Sequence, residues 1–134
     1  MITTRQAHTI LAAAEDRAAA IGVTVNVAVL DAGAHLKAFV RMDGAVLGSI
    51  DVAMKKARTA VLFNCTSETV WEYCKPGAPA HGLELSNGGL APFAGGVPLK
   101  GRDGETVGAV GVSGGAVPQD LDIAEAAAAA FHPR

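Results

Sequence analysis

The sequence predicts an α+β fold, a single domain over residues 1–134 in which an antiparallel sheet is flanked by helices. Three observations lead there. Two stretches, centred near residues 33 and 103, set alternating apolar residues on either side of a glycine-containing turn, the pattern of a β-hairpin. Apolar residues recur at helical spacing before, between and after these hairpins. Finally, 134 residues suit one core, and a chain of this size buries roughly two thirds of its unfolded surface. Hairpins make neighbouring strands antiparallel, which disfavours a doubly wound parallel sheet.

The elements follow in order. Thr3 with Gln6 forms a capping-box pattern, and Ile10, Leu11, Ala14, Ala18 and Ile21 recur at helical spacing up to Gly22, predicting an amphipathic helix over residues 4–21. Val23, Val25, Val27 and Val29 alternate with Thr24, Asn26 and Ala28 as a half-buried strand, and Asp31-Ala32-Gly33-Ala34 supplies turn residues. In the partner strand, His35 to Arg41, the residues Leu36, Ala38 and Val40 share one face and His35, Lys37, Phe39 and Arg41 the other. From Ser49 a helix of about 13 residues is predicted, with Ile50, Ala53, Met54, Ala57, Val61 and Leu62 on one side and Asp51, Lys55 and Arg58 on the other.

Thr66 or Ser67 can cap a short helix through Tyr73, with Glu68 in its first turn. The prolines and glycines between Lys75 and Gly82, followed by Asn87-Gly88-Gly89, predict an irregular loop of a length that is usually functional or mobile. Gly96 to Lys100 and Thr106 to Val112 read as a second hairpin closed by Arg102-Asp103-Gly104. Pro118 suits the first turn of a last, Ala-rich helix ending near Phe131.

Composition narrows the function. Thirteen acids and eleven bases give a net charge of -2 with no basic patch, which argues against nucleic acid as a partner. No secretory leader and no apolar run of about 18 residues are seen, so a cytoplasmic protein without membrane partners is expected. Cys65 and Cys74 are nine apart, matching neither a redox CxxC pair nor a zinc set, and two reduced thiols are expected with no protein-held metal.

Four blocks, in order and with family-like spacing, resemble the GlcG/HbpS-like proteins, related also to the C-terminal domain of PduO-type corrinoid adenosyltransferases. They are VAVLDAGAHLKAFVRMDGA from Val27, AMKKARTA from Ala53, GGVPL from Gly95, and VGAVGVSGG leading to Gln119-Asp120. The resemblance covers nearly the whole chain. It implies a profilin-like domain, self-association into dimers or octamers, and haem as the best candidate cofactor; other members sit beside catabolic genes. The chain departs from the pattern at Ala34-His35, where many members carry a second glycine, and between Cys65 and Gly89.

Several residues can carry chemistry, each with a plainer alternative. His35, Lys37 and Arg41 form a cationic strip able to hold a carboxylate or propionate, or simply a solvated face. Arg41 with Asp43 resembles the family's RxD pattern, and Arg41 could instead pair with Asp31 across the turn. Lys56, at the edge of the apolar side of its helix, could act on carbonyls or anions, or snorkel to solvent. His81 in the loop could be an acid, a base, a haem ligand or a bystander. Gly95, Gly96, Ser113 and Gly114 could form a backbone nest for an anion or a surface for tight packing. Asp120 reads as a helix-start acid, with a catalytic role also open.

Two readings lead, beside a plainer third, a structural or chaperone-like assembly subunit with no ligand. One is a small-ligand-binding protein of the GlcG/HbpS type, binding or degrading haem, with a pocket near a subunit interface lined by Arg41, Lys56, Gly95 to Pro98 and the loop around His81. The other is a metal-independent enzyme of tautomerase, isomerase or imine/enol hydrolase type acting on a small unsaturated carboxylate. There Arg41 binds the carboxylate and Lys56 or His81 moves the proton.

Overall fold

The computed structural model describes residues 1–134. Helix α1 (Thr4–Ala20) leads into β1 (Asn26–Asp31) and β2 (Leu36–Arg41), then α2 (Gly48–Phe63), α3 (Ser67–Cys74), a 3-10 turn at Leu83–Leu85, β3 (Gly96–Lys100), β4 (Thr106–Ser113) and α4 (Val117–Ala129). The four strands form one sheet in the order β2-β1-β4-β3, every neighbour antiparallel. Helices α1 and α4 cover one face, where Val27, Val29, Val110, Val112 and Leu99 meet Ile10, Ala14, Ala18, Ile123 and Ala127. The other face belongs to α2, with Leu30 and Ala109 against Ala57 and Ala60. No helix is long and apolar enough to cross a membrane.

Local chemistry sets the boundaries. Thr3 and Gln6 close the expected capping box, with Gln6 N–H donating to Thr3 Oγ1 at 3.0 Å and Thr3 N–H to Gln6 Oε1 at 2.9 Å. The first strand begins three residues later than its valine pattern suggests. Gly22 takes a left-handed φ of 75° and the Val23 N–H bonds back to Ala18 O at 3.0 Å, so Val23 closes the helix instead of pairing in the sheet.

Other corrections share one cause, the tertiary partner. A bulge skips Lys37, so that Ala38 pairs with Val29 but Leu36 pairs with Leu30. Leu36 therefore leaves the face of Ala38 and Val40 and joins Leu30 on the α2 side, where both line one cleft. Arg41 lies opposite Asn26, at the far end of the hairpin from Asp31, so the two do not pair. On α2 the buried residues are Ala53, Lys56, Ala57, Thr59 and Ala60, while Leu62 is exposed.

Two glycines make the α2 contact possible. Gly111 and Gly96 sit side by side on adjacent strands, and a Cβ on either would collide with a carbonyl of α2, that of Ala53 or of Lys56. Their bareness lets a helix backbone rest on strand backbone. The packing partner that the glycines require is thus α2 of the same chain.

Candidate functional site

Lys56 is fully buried, 1% exposed, where α2 crosses the ends of β3 and β4. Its stem cannot snorkel. Lys56 Nζ donates to Asp120 Oδ2 at 3.0 Å and to Val112 O at 2.9 Å. The remaining N–H has no oxygen acceptor, and the Phe93 ring centroid stands 5.1 Å from the nitrogen, a cation–π contact.

Asp120 is held in the first turn of α4 by the Gly115 N–H at 2.9 Å. Burial pulls Lys56 below the ordinary lysine value and pushes Asp120 above the ordinary carboxylate value, and each partner's charge works against the other's shift.

The neighbourhood gathers several residues that the sequence singled out. Gly95 has a φ of 129°, and a Cβ there would lie 2.8 Å from Lys56 Nζ and 2.6 Å from Val112 O. The Gly96 N–H donates to Ser67 Oγ at 2.9 Å, so this amide is already spoken for. Pro98 is half-buried on β3. Ser113 is buried opposite Asn26, a residue that sequence reasoning did not single out. Asn26 Nδ2 donates to Val46 O at 3.0 Å while its Oδ1 has no partner. Gly114, at φ 141°, turns the chain from β4 toward α4.

His35, Arg41 and His81 lie outside this cluster. Arg41 is exposed at the end of β2. The His35 side chain is 83% exposed, with Nδ1 3.6 Å from Asp31 Oδ1. Asp31 Oδ1 also accepts the Gly33 and His35 N–H groups, each at 2.9 Å, and the His35 amide leads in holding the carboxylate below its usual value. His81 follows α3, with Nδ1 3.3 Å from Cys74 O. Cys74 is buried and Cys65 half-buried; both are free, and burial raises both thiols.

Two concavities stand out, one beside α2 and one beside α3. Between α2 and β2 lies a cleft of about 360 Å³ with Leu30, Leu36 and Met54 as apolar wall and Lys55 and Arg58 as cations. Lys55 is bridged to Asp51 at 3.0 Å, and Arg58 Nη1 donates to Asn87 O at 2.5 Å. Between α3, the segment before β3 and the start of α4 lies a hollow of about 260 Å³ lined by Glu68, Trp71, Phe93, Ala94 and Val117. Neither was foreseen. Lys55 and Arg58 carry only the generic signature of a polar helix face, and Trp71 and Phe93 belong to segments of unlike periodicity.

The chain is 40% identical over 126 residues to the corrinoid adenosyltransferase PduO of Salmonella typhimurium, a match over 93% of this chain and 37% of PduO. It thus spans well under half of that relative. The solved PduOC haem complex superposes with a TM-score of 0.92 at 38% identity, covering 98% of this chain and 95% of the other. The Klebsiella pneumoniae protein ORFY gives a TM-score of 0.93 at 35% identity, over 97% and 90%. The family described as haem-degrading protein HbpS-like matches residues 2–129, and with the fold in agreement, this chain belongs to the HbpS-like family.

Proposed function

We propose that this protein binds haem, in the cleft between β2 and α2. The observation that carries the reading is the likeness to the PduOC haem complex over 98% of the chain. The cleft suits the group. Its volume of about 360 Å³ falls at the small end of the roughly 300–1,000 Å³ typical of small-molecule sites. Leu30, Leu36 and Met54 offer an apolar wall for a flat ring, while Lys55 and Arg58 can turn from their present partners toward propionates.

Two imidazoles are ready as axial donors. His35 and His81 each engage a protein oxygen through Nδ1, and Nε2 of each has no protein partner. His35 falls between the cleft-lining Ala34 and Leu36 in sequence, with its ring now turned toward Asp31; rotated into the cleft, it is the ligand we favour. Bound haem would supply an iron centre, and its potential would depend on the axial ligand and the polarity of the wall. A cleft this open leaves a haem edge uncovered, which favours a self-associated state with a second subunit over the site. Two free cysteines favour a reducing, cytoplasmic setting.

The test is a haem titration followed in the Soret region. Saturable binding is expected in the parent protein, lost in His35→Ala, kept in His81→Ala and weakened several-fold in Arg58→Glu. Absence of a saturable Soret change in the parent protein would overturn the reading.

A further inference from the structure

The hollow between α3 and α4 lies apart from the cleft proposed for haem. Its apolar lining is Trp71, Phe93, Ala94 and Val117. Trp71 is 38% and Phe93 41% exposed, so two large rings remain in contact with water. The inner side of the Phe93 ring covers the one Lys56 N–H that lacks an oxygen acceptor. A half-exposed side chain thus separates an apolar hollow from a buried, incompletely satisfied ammonium.

We propose that this hollow is a second binding site, taking a small planar apolar molecule that carries a neutral carbonyl, such as an aromatic ketone, aldehyde or amide. Phe93 acts as the displaceable cover. When its ring swings outward, the ligand's ring takes its place against Trp71 and Val117 while the carbonyl oxygen accepts the free N–H of Lys56.

The class follows from the charges. Asp120 at 3.0 Å already balances the Lys56 ammonium, so the buried pair offers a hydrogen bond without net positive charge. Glu68 on the lining adds negative charge and works against an anionic ligand. A hydrocarbon would leave the N–H unpaired once the Phe93 ring had moved, at the cost of desolvating it. A neutral acceptor meets both conditions.

Trp71 is the only tryptophan in the chain and lines the hollow, so its emission reports occupancy. The parent protein and a Phe93→Ala variant are titrated with acetophenone, with ethylbenzene as the isosteric hydrocarbon and with benzoate as the anion. Acetophenone is expected to give a saturable change, several-fold tighter in Phe93→Ala. In that variant it should exceed both ethylbenzene and benzoate by about tenfold, as a charge-assisted hydrogen bond would provide.

Val117→Phe, at a half-exposed position that tolerates a larger side chain, should abolish the saturable change without altering the fold by circular dichroism. Two results overturn the proposal: only linear, collisional quenching in both the parent and Phe93→Ala proteins, or equal affinities for acetophenone and ethylbenzene in Phe93→Ala. Neither depends on whether haem binds in the cleft.

Discussion

At the scale of single residues, Lys56 and Asp120 are a pair whose members cannot be removed independently. Lys56→Met leaves the Asp120 carboxylate buried with only backbone N–H donors, and a loss of about 3–5 kcal/mol is expected in denaturant titrations. The double change Lys56→Met with Asp120→Leu should recover most of it. The sign of the pH dependence follows from burial. Asp120 already sits above its ordinary value, and removing the ammonium raises it further. A carboxyl with a raised folded value contributes stability fully present below its unfolded value of about 4 and lost as pH rises through the folded value. The deficit of Lys56→Met should therefore shrink on acidification, and a deficit constant from pH 7 to pH 4 would exclude this account. Asp31 has the opposite sign. Its folded value is lowered, chiefly by the His35 amide, so its contribution is present above the unfolded value and lost as pH falls through the folded one. Asp31→Asn should make acid unfolding below about pH 4 less steep.

At the scale of elements, the hairpins, the capping box and the helix order are legible because their signals are local. Gly104 at φ 80° and the Thr3–Gln6 pair need only neighbours within a few residues. What the sequence does not disclose depends on contacts made far along the chain. The bulge at Lys37 reassigns Leu36 to the α2 side, and the alternation of β2 alone cannot show it. Burial of Lys56 requires an acid 64 positions away, and nothing in the spacing of α2 distinguishes that lysine from a snorkelling one. Gly96 and Gly111 are visible as strand glycines, yet their partner is identified only by the carbonyls of α2 above them. Gly111→Ala or Gly96→Ala should push α2 off the sheet and cost about 1–3 kcal/mol or more, since the obstruction is backbone and cannot rotate away. Thermal melts of both variants check this, and Gly77→Ala, at a glycine with open space but a φ of 84°, separates backbone strain from collision.

At the scale of the whole molecule, α1 and α4 cover one face of the sheet, while α2 leaves β2 uncovered on the other. That asymmetry creates the cleft, so the proposed haem site is a product of architecture that no single motif encodes. Self-association over the cleft would bury Leu36, Val46 and Leu47, all exposed in the single chain. Light scattering should then show an oligomer larger than one chain, and Leu47→Glu should shift it toward monomer. A monomer in the parent protein would exclude such an interface.

The margins of the sheet limit how any such assembly can form. At β3 the Gly96 amide points away from β4 and is taken by Ser67, and Pro98, two residues on and facing the same way, has no N–H to offer. At β2 the bulge interrupts the ladder at Lys37, and Arg41 adds a second charge along the same border. An incoming strand would find few donors at one border and a broken register with like charges at the other. Both borders thus disfavour the addition of a further strand, which works against growth of the sheet into a fibril.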